Sequence, residues 1–146
     1  MSIFNSINVS ATALTAEKTR IDIIAKNMAN ASTTRSTGGM PYRRQMVVFE
    51  ENKSTPFSEY LSRQTNKFEG KGVKISKIVE DESPFKLVYE PGHPDADENG
   101  YVKMPNVDTI KEMVDLISAQ RSYDANITAM NASKSMLMKA LEIGRR

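Results

Sequence analysis

The sequence predicts a mainly α-helical protein in which two long terminal helices flank a small β-rich insert. Apolar residues recur at helical spacing in residues 1–35 and again in 106–146, whereas several short segments between them alternate apolar and polar residues. We expect the terminal helices to pair as an α-helical coiled coil and the insert to form antiparallel hairpins. The chain is therefore divided into an N-terminal helix (1–35), an insert (36–105) and a C-terminal helix (106–146).

The N-terminal helix is predicted by apolar residues that return every seven positions. Ser6 or Asn8 is expected to cap its start, and the polar run 30–34 followed by two glycines is expected to end it. We call its large apolar face the N-terminal seam. Its members are Ile7, Leu14, Ile21, Ile24 and Met28.

The insert carries four predicted strands. Segments 44–50, 73–78 and 85–90 are rich in β-formers or alternate at a period of two, and 101–104 is a fourth, shorter candidate. Between the first two, residues 51–72 are polar with balanced charge. We expect a long loop there, with part of 58–63 helical.

The C-terminal helix is predicted from Asn106 or Asp108, either of which can cap it, to Gly144. Its C-terminal seam contains two polar positions, which in coiled coils usually fix register or partner number. A stripe of small residues runs beside it and would allow another backbone to approach closely. The seam comprises Met113, Leu116, Gln120, Tyr123, Ile127, Met130, Lys134, Leu137 and Leu141. The small-residue stripe comprises Ser118, Ser122, Ala125, Ala129 and Ala132.

The length of this helix implies burial by other chains. A helix over residues 108–143 would be about 54 Å long at ~1.5 Å per residue, whereas a chain of this size has a radius of gyration near 15 Å when compact. The N-terminal helix can cover only part of it. We therefore expect both seams and the small-residue stripe to lie at subunit interfaces.

Composition excludes several classes of function. Leu, Ile, Val and Phe make up 31 of the 146 residues, about 21%, just above the roughly 20% that marks disordered chains. The absence of Cys excludes disulfide scaffolds and thiol chemistry, and a single histidine excludes sites that need two. The net charge of +2 is too small for a strong nucleic-acid footprint. We expect no enzyme activity, cofactor, metal, small-molecule substrate or membrane span, and no cleavable secretory signal.

One motif resembles a calcium loop. Asp95, Asp97 and Asn99 occupy the first three ligand positions of an EF-hand, and Gly100 supplies its sharp turn. The twelfth position, which needs a bidentate Glu, is Asn106. We therefore interpret this segment as an Asx-rich turn between two strands.

Both ends of the chain resemble the bacterial flagellar rod and hook protein family. Residues 10–17 (SATALTAE) and 20–33 (RIDIIAKNMANAST) are similar to its N-terminal signature, and 112–126 (EMVDLISAQRSYDAN) to its C-terminal one. Within the family, residues 39–45 (GMPYRRQ) and 93–107 (HPDADENGYVKMPNV) are most similar to a short subunit of the proximal rod.

The resemblance implies a structural subunit that polymerises through its terminal helices into a hollow helical rod crossing the periplasm in the flagellar basal body. Such a rod transmits torque and lets exported subunits pass. The implied partners are other copies, other rod proteins and the flagellar type III export apparatus, which exports these proteins without a cleaved signal. Two alternatives remain at this point: a soluble helical-hairpin adaptor that binds through its β insert, and a calcium-binding regulator built on 95–106.

Overall fold

The structure, a computed structural model, describes residues 3–36, 38–52 and 71–144. These residues form a long helix near each end and four strands between them, which confirms the mainly α-helical class with a β insert. The predicted helical turn within 58–63 lies outside the described residues. In chain order the elements are α1 (Ile3–Ala29), β1 (Gln45–Glu51), β2 (Val73–Glu80), β3 (Lys86–Tyr89), β4 (Tyr101–Met104) and α2 (Thr109–Ile143).

Helix α1 starts earlier than the sequence indicated. Because it begins at Ile3, Ser6 and Asn8 lie inside the helix, and the prediction that one of them caps it is wrong. No Pro or Gly occurs before them to stop the helix, so it extends toward the N-terminus. At the other end, Asn30 Nδ2 donates to the carbonyl of Lys26 at 2.9 Å and satisfies one of the last helical carbonyls.

Asp108, rather than Asn106, caps the start of α2. Its Oδ1 accepts the backbone N–H groups of Ile110 at 3.0 Å and Lys111 at 3.4 Å, the pattern of an N-terminal cap. The helix ends at Ile143, just before Gly144 as predicted. At ~1.5 Å per residue its 35 residues span about 52 Å.

Within the described ranges, the four strands form two separate two-stranded sheets, β1–β2 and β3–β4. Hydrogen bonds from Asn52 N to Gly72 O and from Asp81 N to Arg44 O join opposite ends of β1 and β2, so this pair is antiparallel. Strands β3 and β4 are also antiparallel, with Val88 opposite Val102 and Tyr89 opposite Tyr101. The predicted hairpin character of the insert is therefore confirmed.

Contacts group the chain into two units. Unit 1 consists of residues 1–18, 49–76 and 120–146, and unit 2 consists of 19–48 and 77–119. Among the described residues, the most buried side chains of unit 1 are small: Ser10, Ala16 and Ser133. Unit 2 holds the larger core, formed by Ile24, Val102, Pro105, Val107 and Ala119 together with the polar Asn27 and Glu112.

Candidate functional site

Most predicted seam residues are partly covered, and a few are open. On α1, Ile24 is buried, and on α2 four seam residues are exposed: Met113, Gln120, Lys134 and Leu141. The half-buried members are Ile7, Leu14, Ile21, Met28, Leu116, Tyr123, Ile127, Met130 and Leu137. Of the small-residue stripe, Ser122 is half-buried, and Ser118, Ala125, Ala129 and Ala132 are exposed. The assignment of these residues to subunit interfaces stays a prediction.

The most buried positions of α2 are Glu112, Ala119 and Ser133. Each lies one residue before a position of the predicted seam. Together with the half-buried Leu116 and Met130 they follow spacings of four and three residues along the helix. An apolar pattern could not reveal them, because Glu and Ser are polar and Ala is small.

An exposed apolar row lies on the first two turns of α2. Its four side chains follow the i, i+3, i+4, i+7 spacing of one helix face. Their exposed fractions are 75% for Ile110, 49% for Met113, 62% for Val114 and 51% for Ile117. Soluble proteins rarely leave such a continuous apolar surface open unless it binds something. We call these four residues the α2 apolar row.

Asn27 is the centre of a buried hydrogen-bond network in unit 2, where its side chain is 1% exposed. Its Nδ2 donates to the carbonyl of Gln45 at 2.8 Å and to Glu112 Oε2 at 3.0 Å. Its Oδ1 accepts the Tyr42 hydroxyl at 2.9 Å and the Gln45 backbone N–H at 2.9 Å. One amide side chain therefore joins α1, the start of β1 and α2, and all its bonding capacity toward protein is satisfied.

The carboxylate of Glu112, which is fully buried, also pairs with Arg44. Arg44 Nε donates to Glu112 Oε1 at 2.6 Å, and another guanidinium nitrogen lies 3.3 Å from Asp115 Oδ2. Asp81 Oδ2 lies 3.7 Å from the same guanidinium. A buried carboxylate is tolerated only when it is paired and hydrogen-bonded, and Arg44 together with Asn27 meets both conditions. We call Asn27, Arg44 and Glu112 the polar clamp.

Neighbouring groups reinforce the clamp at Arg44, the residue just before β1. Asn106 Oδ1 accepts the Arg44 backbone N–H at 2.9 Å, and its Nδ2 donates to the Asp81 carbonyl at 3.0 Å. Hydrogen bonds from the backbone and hydroxyl of Ser83, together with the Arg44 charge, lower the pKa of Asp81. Burial, followed by the negative charge of Glu112, raises the pKa of Tyr42. Asn106 therefore has a structural role in holding Arg44 and Asp81, which the comparison with a calcium loop did not indicate.

In the described part of unit 1, helix α1 approaches the insert closely at Thr12. Thr12 Oγ1 accepts the Val73 backbone N–H at 3.2 Å and donates to the Val9 carbonyl at 2.7 Å. Gly72 has a φ of +84°, and a Cβ built there would collide with the Thr12 side chain. Only glycine fits this site without strain. Elsewhere in unit 1 the hydroxyls of Ser6 and Ser133 are 3.3 Å apart.

The segment that resembles a calcium loop is a turn. Asp97 Oδ1 accepts the backbone N–H groups of Asn99 and Tyr101, both at 2.9 Å, and Gly100 has a φ of +80°. Asp95 instead pairs with Arg35 and accepts the Thr34 hydroxyl at 2.9 Å. The two carboxylates therefore serve different local contacts, and the Asx-turn interpretation is confirmed.

Two further features are absent from the described residues. No group of three or more His, Cys, Asp or Glu side chains in these residues is arranged to hold a metal ion. In the same part of the chain, no helix combines the length and apolar character needed to cross a membrane.

Comparison with known proteins identifies the family. Residues 7–35 match the family model "Flagella basal body rod protein", and 98–143 match "Flagellar basal body rod FlgEFG protein C-terminal". The chain is 55% identical to the "Flagellar basal-body rod protein FlgC" of Bacillus subtilis (strain 168), over 99% of this chain and 100% of the relative. It belongs to the flagellar basal-body rod protein family. Relatives with the same name from Borreliella burgdorferi and Salmonella typhimurium (strain LT2) are 46% and 43% identical, over 98% and 99% of this chain and 98% and 100% of theirs.

The two regions that match the rod family models meet in the polar clamp. Asn27 lies in the N-terminal match and Glu112 in the C-terminal one, and their side chains are hydrogen-bonded at 3.0 Å. Arg44, the third member, lies between the matched regions. The family resemblance was recognisable in the sequence, whereas this pairing of its two signatures required the structure.

Proposed function

We propose that this rod-family chain is a structural subunit of the bacterial flagellar basal-body rod. It polymerises through α1 and α2 into a hollow helical shaft that crosses the periplasm, transmits torque and lets exported subunits pass. Its partners are other copies, other rod proteins and the type III export apparatus, which exports it without a cleaved signal. Full-length relatives that carry the rod-protein name support this role.

The α2 apolar row carries the proposal. Helix α2 buries one face, which carries the clamp residue Glu112, against the rest of unit 2. The apolar row lies on another face of the same helix, which is exposed. Covering a large apolar side chain is worth about 1.5–3 kcal/mol on full burial. A helix of a neighbouring subunit placed on Ile110, Val114 and Ile117 would therefore gain several kcal/mol, by this measure, before association costs.

Pairing of α1 with α2 as a coiled coil is part of the same proposal. One side-chain contact between the helices supports it in each unit, Ser6 with Ser133 and Asn27 with Glu112. The apolar seams of both helices also repeat every seven residues, which is the sequence pattern of a coiled coil.

The remaining seam and stripe residues are proposed to complete the interfaces between subunits. The exposed members Met113 and Leu141 present large apolar surfaces, and the exposed Ala125, Ala129 and Ala132 allow a neighbouring backbone to approach. Further large apolar side chains are exposed in the terminal parts of unit 1. These are Phe4, Met136, Met138 and Ile143.

The experiment introduces a charge into the α2 apolar row. Val114→Glu and Ile117→Glu should each abolish swimming in a host whose own gene for this protein is deleted, and the rod should be missing from purified basal bodies. The matched control is Thr109→Glu, which places the same carboxylate at an exposed position on the first turn of the same helix. The control should swim normally, because a negative charge is favourable at a helix start.

Folding of each variant is checked by thermal unfolding of the purified full chain. Val114 and Ile117 are mostly exposed, so both glutamate variants should unfold within a few degrees of the wild type. Normal swimming with either glutamate would contradict the assembly role of the row. A large loss of thermal stability would contradict the conclusion that these side chains are uncovered in the free chain.

A further inference from the structure

A polar cavity opens beside the outer face of the β3–β4 hairpin in unit 2. Its volume is about 350 Å³, within the range of roughly 300–1,000 Å³ typical of small-molecule sites. It is lined by side chains from the loop that follows α1, from the turn between β3 and β4, and from β4. Those that matter here are Thr34, Arg35, Asp95, Asp97, Tyr101 and Lys103.

The charges of the cavity cancel. Arg35 and Lys103 supply two positive charges, and Asp95 and Asp97 supply two negative ones. Asp95 pairs with Arg35 and accepts the Thr34 hydroxyl, and the Arg35 side chain, whose guanidinium carries five N–H donors, is 70% exposed. The site therefore offers hydrogen-bond donors and acceptors together without a net charge. Such a lining suits a neutral ligand that carries many polar groups.

An aromatic surface adjoins the cavity. Leu87, Tyr89 and Tyr101 alternate with inward-facing residues of the hairpin and are 63%, 64% and 44% exposed. The two tyrosine rings pack edge to face, with centroids 5.3 Å apart and planes at 63°. A Cβ at Gly100 would lie 2.9 Å from Tyr89 Cε2, so glycine at this position allows the Tyr89 ring to pack closely against the turn. The two rings pack against each other and leave part of their aromatic surface open to a ligand.

We propose that this cavity and the tyrosine pair bind a carbohydrate, specifically an uncharged oligosaccharide. One sugar ring would occupy the cavity, with its hydroxyls donating to Asp97 and accepting from Lys103 and Arg35. The apolar face of an adjacent ring would stack on Tyr101 and Tyr89. A sugar carries both an apolar face and a rim of hydroxyls that donate and accept, and this surface provides a partner for each.

The main alternative occupant is a charged protein segment. An acidic peptide would be attracted by Arg35 and Lys103 but repelled by Asp95 and Asp97, and a basic peptide would meet the reverse. Neither kind of peptide gains net electrostatic attraction from a cavity whose formal charges cancel. The balanced site therefore favours the carbohydrate, and binding of a peptide becomes an outcome of the test.

The experiment titrates the purified full chain with a tetrasaccharide of β-1,4-linked N-acetylglucosamine, whose acetamido groups add both donors and acceptors. The chain has no Trp and only five Tyr, so its intrinsic tyrosine fluorescence reports on the site without labelling. We expect saturable binding with a Kd of about 1 mM or tighter. Tyr101→Ala should weaken it about tenfold, and Tyr101→Phe, which keeps the ring, should stay within about twofold.

Two lysine variants complete the design. Lys103→Ala should weaken binding about threefold or more, whereas Lys77→Ala, an exposed lysine on β2 that does not line the cavity, should bind as the wild type does. The proposal is overturned if no saturable change occurs, if Tyr101→Ala binds like the wild type, or if a hexaglutamate peptide displaces the saccharide. None of these outcomes bears on the assembly role, because α2's apolar row is unchanged in every variant.

Discussion

The contrast between two asparagines of the N-terminal signature provides the sharpest test of the polar clamp. Asn27→Ala removes four hydrogen bonds at once and leaves the Gln45 backbone N–H and carbonyl without their partner. A typical hydrogen bond contributes about 1 kcal/mol net, and a buried polar group left unsatisfied costs about 1–3 kcal/mol. Because Glu112 also loses a donor in a fully buried place, we expect the free energy of unfolding to fall by about 3–5 kcal/mol.

That loss is a large share of the roughly 5–15 kcal/mol that stabilises a typical protein of this kind. The matched control is Asn30→Ala, three residues further along. Asn30 is only half-buried, and its side chain bonds to the Lys26 carbonyl and to the Thr33 hydroxyl at the end of α1. Loss of such a terminal contact should cost about 1 kcal/mol or less.

The assay is urea unfolding of the purified full chain, followed by far-ultraviolet circular dichroism. If Asn27→Ala and Asn30→Ala are destabilised equally, the reasoning about the clamp is refuted. A small effect of Asn27→Ala alone would show that water replaces the lost bonds, and the description of Asn27 as a buried node would then be wrong. A change in the urea dependence of the unfolding free energy would instead indicate an altered denatured or native state.

Three further predictions concern the clamp, the close approach at Gly72 and the carboxylate of Asp81. Arg44→Gln should lower the unfolding free energy by about 3–5 kcal/mol, since it leaves the Glu112 carboxylate buried without a cation; if urea melts of Arg44→Gln and wild type coincide, the ion pair is not the stabilising element. Gly72→Ala should cost about 2 kcal/mol or more, because φ is +84° there and the added methyl meets Thr12, and an unchanged melting temperature would count against that close approach. The pKa of Asp81 is lowered in the folded state, so its contribution to the free energy of unfolding is present above the ordinary aspartate pKa and is lost as the pH falls below about 4. Asp81→Asn should therefore reduce the loss of stability that the wild type shows in acid. An identical loss in the variant and the wild type would contradict this role of Asp81.

Hydropathy patterns predicted the elements because each element is strongly periodic. All four strands and both helices occur within a few residues of their predicted bounds, and the turn at 95–100 forms as its Asp and Gly residues indicated. The start of α1 was misplaced because Ser6 and Asn8 look like caps, although nothing before them ends the helix. A serine inside a helix has other uses, here a contact with Ser133.

The clamp could not be predicted, because its residues are polar and far apart in sequence. Glu112 looks like an acidic residue in the first turn of a helix, where negative charge is commonly exposed. Arg44 looks like part of a short basic run at the start of a strand. Only the meeting of α1, the hairpin and α2 in unit 2 shows that both are buried partners. Sequence periodicity reports apolar faces, and it carries no signal for a buried polar group whose compensation lies elsewhere in the chain.

The assembly role rests most directly on what covers the α2 apolar row in the rod. A cryo-EM map of purified basal bodies at side-chain resolution answers this. The proposal predicts that Ile110, Val114 and Ile117 are buried against a helix of a neighbouring subunit, with α1 and α2 on the lumen side of the wall. A map in which these three side chains face solvent or the open lumen would contradict it.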